Sequence, residues 1–313
     1  MGTAPDVSVI IPGFGRAESL AECLKALASQ TLPRERFEVI VCDDGSELPL
    51  ANALEPTLGT LGDLRVSFVR QPNSGPAAAR NRAADSAQGQ YLAFTDDDCR
   101  PAADWLEKLL HHFAVHPNTL VGGGMCTTAT SDAYARATQA IMSFVYGDQV
   151  RGGGMLLFST SNLAMCARAF REMGGFSSHF RRAAGEDYDL CARWYNQGGQ
   201  SAYLPDALVV HDHALTFGRY LLQHFHYGRG LFIMRLRVKE RGGAIRPGRM
   251  PGGFHLRLIV SPIRARRPFG LGCAFLIALS QVATAGGVAA QFLSSRYRKR
   301  NVVELAKAPS KYA

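Results

Sequence analysis

Asp96, Asp97 and Asp98 follow the apolar run Tyr91-Leu92-Ala93-Phe94. Carboxylates crowded at a strand end repel one another unless a positive group stands among them. Their oxygens suit a hard divalent cation, Mg²⁺ or Mn²⁺, and the phosphate it carries. Acidic loops are common, so the triplet alone leaves a plain polar loop open. Asp43-Asp44-Gly45-Ser46 ends a second run, Phe37 to Val41. A carboxylate there can accept from a ribose or a base; an Asp-Gly turn is the other reading. Asn73 to Asn81 joins a turn at Gly75 to a helix start at Pro76. Its N–H groups can face a diphosphate, with Arg80 in reach, or Pro76 can simply begin a helix.

Gly185-Glu186-Asp187-Tyr188-Asp189-Leu190 puts acids in the first turn of a helix. The helix dipole favours acids there; the functional reading is a general base at Asp187. His211-Asp212-His213 follows the β-like Leu208-Val209-Val210, and a histidine there suits a metal or a phosphate.

The elements that position these residues alternate. Strand patterns cover Val7 to Ile11, Phe37 to Val41, Leu64 to Val69 and Tyr91 to Phe94. Helical spacing covers Ala17 to Gln30, Pro76 to Ala87 and Trp105 to Phe113. Such alternation predicts an α/β fold with a mostly parallel sheet, and ligands beyond the carboxyl ends of its strands. Three strands end in polar clusters: Pro12 to Arg16, Asp43 to Ser46, and Asp96 to Asp98. Glycine runs at Gly122 to Gly124 and Gly152 to Gly154 bracket a helical stretch, and Gly174-Gly175 marks a turn.

In this order the motifs resemble family-2 glycosyltransferases over roughly residues 7 to 230. The resemblance implies a GT-A fold: a mixed, mostly parallel sheet flanked by helices. It implies inverting sugar transfer from a nucleoside-diphosphate sugar to a hydroxyl, with Mn²⁺ or Mg²⁺ as cofactor. Residues 7–16, with Pro12 and Arg16, resemble the opening strand and its loop. Asp43 and Asp44 match the base- and ribose-binding acids, with Asp44 the nearer contact, and Gly75 and Arg80 join the donor side. Asp96 is implied toward the ribose and Asp98 toward the metal; Asp97 joins the nucleotide-sugar side, with metal contact and loop structure both open for it. The stretch around Asn162, with Gly175 and Phe176, resembles the acceptor side. Glu186 and Asp187 match the acidic pair whose Asp is the base, and His211 matches a histidine that completes the metal and diphosphate site. Gly13-Phe14-Gly15 departs from the family's usual polar pair. Gln223 to Tyr227 only partly echoes the Gln-x-x-Arg-Trp motif of polymerising members.

The 313 residues, 47% of them hydrophobic, suffice for one large α/β unit plus an appendage. The expected division is a catalytic unit at 1–215, with a nucleotide-sugar half at 1–120 and an acceptor half at 121–215. Basic and apolar helices follow at 216–313. Seven cysteines without a Cys-x-x-Cys pair argue against a disulfide framework and for a reducing compartment. Met1 to Asp6 lacks a basic segment, so no secretory signal is expected. The net charge of +9 gathers in the last hundred residues and suggests an anionic partner surface. No motif for reading nucleic acid accompanies it, which leaves a membrane.

Pro268 to Ser295 contains no charge and is long enough to cross a bilayer, though glycines and polar residues dilute it. Arginines flank it on both sides, so a hairpin or an in-plane insertion would keep both flanks cytoplasmic. Phe217 to Val238 reads as an interfacial amphipathic helix. Core helices of a soluble protein are the other reading of both segments. The expected placement is the cytoplasmic face of a membrane, beside a glycan or lipid-linked acceptor. Two competing functions are weaker. A sugar nucleotidyltransferase needs a longer basic glycine loop after the first strand. A non-catalytic sugar-nucleotide binder should lack Asp187 or the acidic triplet.

Overall fold

The computed structural model describes residues 4–128, 132–180, 184–211, 215–244, 253–265 and 269–307. Its centre is one eight-stranded sheet in the order β3-β2-β1-β4-β7-β6-β8-β5. The strands are β1 (Val7–Gly13), β2 (Phe37–Asp43), β3 (Val66–Arg70), β4 (Tyr91–Phe94), β5 (Cys99–Pro101), β6 (Thr119–Cys126), β7 (Leu163–Cys166) and β8 (Gln200–His211). The main helices are α1 (Ala17–Ala28), α4 (Pro76–Asp85), α5 (Trp105–Val115), α6 (Ala133–Gly152) and α8 (Glu186–Asn196). Short helices α2 (Leu50–Ala53), α3 (Glu55–Leu58) and α7 (Ala167–Glu172) link them. The chain closes with α9 (Phe217–Glu240), α10 (Phe254–Arg264) and α11 (Gly270–Lys307).

The expected strands form the parallel half. β1 pairs in parallel with β2 and β4, and β2 with β3. Every residue of β1 is buried, as a central strand covered on both faces requires. Alternate side chains feed two cores. Val9, Ile11, Leu24 and Trp105 pack on one face, with α1 and α5. Ile10, Phe94, Leu163 and Leu190 pack on the other, with α4, α6 and α8.

The second half of the sheet is mixed. β7 runs antiparallel to β4 and β6, β8 parallel to β6, and β5 antiparallel to β8. Gly122, Gly123 and Gly124 do not merely flank a helix but lie inside β6. A methyl group on them would run into the Phe158 ring, the Asn162 amide and the Pro205 carbonyl respectively. Close approach, rather than turning, explains this run, and the missing side chains hid the strand. The run at 152–154 does end a helix, with Gly153 left-handed at φ 62°.

Candidate active site

Because β2, β1 and β4 are neighbours, their polar ends converge. In the β1–β2 register Gly13 stands opposite Asp43. Antiparallel pairing of β5 and β8 sets Cys99 opposite His211, so His211 arrives beside the acidic triplet. Asp212 and His213 lie outside the described residues.

Arg16, half-exposed in the loop after β1, covers the outer carboxylates. Its Nε donates to Asp97 Oδ2 at 3.1 Å and its Nη1 to Asp98 Oδ2 at 2.6 Å, while Nη2 also pairs with Asp97. This is the positive charge that adjacent carboxylates demand. Burial lifts the Asp97 carboxyl to about 7; Arg16 opposes the shift, and Asp98 and Asp96 add to it. Asp98 Oδ1 lies 3.1 Å from His211 Nε2. Burial works against a charged His211, but the hydrogen bond and charge of Asp98 outweigh it and raise its pKa.

Asp98, Cys99 and His211 offer ligand atoms within 4.8 Å of one another. Cys99 was not among the expected residues. Burial pushes its thiol well above the ordinary range, so it keeps its proton and offers a hard ion little. A carboxylate and an imidazole fit Mn²⁺ well and Mg²⁺ less well. The donor set therefore fits a divalent cation with positions left for phosphate oxygens and water.

The inner carboxylate is held differently. Asp96 Oδ1 accepts from Arg80 Nη2 at 2.6 Å and Oδ2 from Ser161 Oγ at 2.7 Å. Arg80 is only 3% exposed, and its Nη1 donates to Glu186 Oε1 at 2.9 Å. Its guanidinium also lies over the Phe176 ring, 5.8 Å from the centroid. The fork of Arg80 thus faces two carboxylates in the interior rather than the open side of the site.

Glu186 also accepts from Ala184 N at 2.9 Å. Asp187, half-buried, accepts from the N–H of its own neighbour Tyr188 at 2.8 Å. Burial, and then the charge of Glu186, lifts the Asp187 carboxyl to about 7. A carboxyl poised there is suited to take a proton near neutral pH. Tyr227 of α9 lies within electrostatic reach of Asp187 and Tyr188.

The remaining expected residues build the surroundings. Asp43 accepts from Ser46 N at 2.8 Å and Leu50 N at 3.1 Å. Burial opposes its ionisation, but these donors and Arg70 hold it below the usual carboxylate range. Asp44 accepts from Gln71 Nε2, Ser74 N and Gly75 N, which ties the β2 loop to the start of α4. Gly75 caps α4 with φ 91°, where a side chain would be strained. Pro12 lies within β1, buried beside Cys42. Asn162 is spent on structure: Trp105 Nε1 donates to its Oδ1 at 2.9 Å, and its Nδ2 donates to the carbonyls of Gly124 and Ala207. Asn81 clamps the backbone of Phe176 from both sides, and the Phe176 ring packs edge-on to Phe94. Gly175, with φ 66°, accepts from Arg193 Nη2. Asn162 and Phe176 are therefore buried scaffold beneath the site.

A sequence model described as glycosyl transferase family 2 matches residues 8–174. The chain belongs to this family. Among its relatives is the glycosyltransferase AglE of Haloferax volcanii, 29% identical over 229 residues that cover 73% of each chain. The pre-mycofactocin glycosyltransferase of Mycobacterium tuberculosis is 32% identical over 243 residues, 75% of this chain. The alignment spans about half of that relative's length, 49%. In fold, the chain resembles a mannosyltransferase of Pyrobaculum calidifontis solved with GDP-Man and Mn²⁺. The TM-score is 0.61 at 21% identity, covering 98% of this chain and 81% of that one. The sheet is accordingly that of a GT-A glycosyltransferase. Glu186, Asp187 and His211 lie beyond the residues matched to the family, and the tertiary contacts above are what join them to the acidic triplet.

Proposed function

We propose that this glycosyltransferase is inverting and metal-dependent. It moves a glycosyl group from a nucleoside-diphosphate sugar to a hydroxyl of a membrane-proximal glycan or lipid-linked acceptor. The catalytic unit is residues 1–215, at the cytoplasmic face of a membrane. The observation that carries this reading is the shared cation Arg80, which ties Asp96 to Glu186 and so sets the acidic triplet beside Asp187.

Asp187 takes the proton of the acceptor hydroxyl. The oxygen attacks the anomeric carbon from the face opposite the diphosphate, and the bond from that carbon to the diphosphate oxygen breaks. Asp44 and Asp96 hold the nucleoside, and Gly75, its own N–H bonded to Asp44, makes the turn after which the N–H groups at the start of α4 face the diphosphate. Asp98 and His211 would hold the cation. When bound, that cation offsets the charge growing on the leaving diphosphate. Arg16 keeps a positive charge on Asp97 and Asp98, beside the residues that would hold the cation. The GDP-Man and Mn²⁺ of the Pyrobaculum mannosyltransferase support a donor of this class and a divalent metal.

The deciding experiment is a panel of nucleotide sugars with Mn²⁺ or Mg²⁺, read by thermal shift and by donor hydrolysis. One donor should respond, and chelation should abolish the response. If no nucleotide sugar shifts the melting temperature with either metal, the reading fails.

A further inference from the structure

The C-terminal helices leave an apolar face uncovered. On α11, Leu271, Phe275, Val282 and Leu293 are 76, 64, 71 and 64% exposed. At about 100° per residue these positions fall within one narrow stripe along the helix. The exposed small residues Ala285, Gly286 and Ala289 continue it. Alongside, α10 exposes Leu256 at 66% and Ile263 at 43%. Gly270–Ser295 is long and apolar enough to cross a membrane.

The opposite side of α11 is fixed to the enzyme. Tyr220 Oη donates to Leu276 O at 3.0 Å, Thr284 Oγ1 to His224 O at 3.3 Å, and Arg229 Nε to Gln291 Oε1 at 2.9 Å. Between these bonds, Gly228 and Gly287 let the two backbones touch: a methyl on either would strike Thr284 O or Phe225 O. The partners advance together along both chains, so α9 and α11 run parallel. From Val282 to Thr284 the helix turns about 200°, so the bare stripe faces away from α9. α9 in turn crosses the start of α8, where Gly185 abuts the Gly230 backbone.

We infer that the outer face of α10 and α11 lies in the plane of a bilayer with anionic head groups and does not cross it. Lipid is favoured over a second copy by charge. From Arg241 to Val303 the sequence carries eleven Arg or Lys and no Asp or Glu. Arg235 and Lys239 of α9 and Arg264 of α10 are exposed. Two such basic surfaces repel each other, whereas anionic lipid attracts both. In-plane docking is favoured because α11 is bonded along its length to α9. To cross end-on it would draw Arg229 and Arg235 of α9 into hydrocarbon, where charge is expensive. The inference deepens the membrane-proximal placement above, but it does not depend on the transfer chemistry.

The test is flotation of the full chain with phosphatidylcholine vesicles, with and without phosphatidylglycerol. It is followed by single tryptophans at Phe275→Trp, Val282→Trp and Leu293→Trp, quenched by brominated lipids. The chain should float with the anionic vesicles, and Val282→Glu should weaken this about tenfold or more. All three tryptophans should be quenched alike by bromines near the head group. Leu256→Glu, on the other helix, should weaken flotation in the same direction. Failure of the unaltered chain to float overturns the inference. Deepest quenching at Val282→Trp, with shallow ends, would mean a spanning helix and overturns it too. So would a vesicle-free dimer, seen by sedimentation, that Val282→Glu splits. Thermal shift by the nucleotide sugar should persist in Val282→Glu, which separates failure of docking from failure of the donor reading.

Discussion

Arg80 Nη1 lies 2.9 Å from Glu186 Oε1, and the two side chains are 4% and 3% exposed. They are 106 positions apart in sequence. The same guanidinium reaches Asp96 at 2.6 Å. One buried cation therefore fixes the end of β4 against the first turn of α8. The positions of Asp98 and Asp187 follow from a contact that neither of them makes.

Removing this cation should be severe. Arg80→Met leaves Glu186 buried without its partner, and breaking a buried pair in this way costs about 3–5 kcal/mol. Arg80→Lys keeps the charge but lacks the planar fork, so it should recover only part of the loss. Urea denaturation of the two variants measures both effects. Unchanged stability in Arg80→Met would mean that the clamp contributes nothing.

Asp187→Asn should lower kcat by about 10²–10⁴-fold, the usual contribution of a positioned base. Donor affinity should stay near its original value, because the carboxylate acts on the acceptor. Calorimetric titration with the nucleotide sugar, set beside initial rates, separates the two. Turnover at the original rate would remove Asp187 from the role.

A base must be deprotonated to act, so kcat/KM should fall as pH drops through about 7, the position to which burial and Glu186 lift Asp187. Stability should move the other way. A carboxyl raised from 3.8 to about 7 on folding favours the protonated native state. That contribution is present at low pH and is lost as pH rises through about 7. Asp187→Asn, which never ionises, should therefore melt higher than the parent at pH 8 and about equally at pH 4. Asp97, lifted the same way, should add to the alkaline loss in the parent. Melting curves across this range provide the check.

Asp98→Ala should abolish Mn²⁺-dependent nucleotide binding. His211→Ala should weaken it while leaving some response, since the carboxylate remains. Calorimetry with UDP or GDP, in the presence and absence of Mn²⁺, reads both. Metal-dependent binding that survives in Asp98→Ala would move the cation elsewhere.

Gly230→Ala places a methyl against the Ala184 carbonyl at the crossing of α9 over α8. Overpacking of this kind costs about 1–3 kcal/mol. It should also lower kcat, because Ala184 N is a donor to Glu186. Thermal melts and initial rates together test whether α9 is a support for the site.

Much of this was legible before any fold was known. Val7 to Ile11, Phe37 to Val41 and Tyr91 to Phe94 read as buried strands through short, mostly apolar runs, and they form the cores of β1, β2 and β4. Their polar ends must then share one edge of a parallel sheet, which brings Arg16, Asp43 and Asp96 together from local pattern alone. The order of Asp44, Asp98, Asp187 and His211 carried the family resemblance. The other half of the sheet was not legible, because its strands obey tertiary demands. β6 carries three consecutive glycines where Phe158, Asn162 and Pro205 crowd it. β5 has three residues and exists only through pairing with β8. The same reason separates residue type from role. That Arg80 is a cation near the acidic motifs could be read in the chain. That it turns inward, toward two carboxylates instead of the diphosphate side, is decided by burial. A buried guanidinium goes where unpaired negative charge would otherwise be most costly, and only the packed fold determines where that is.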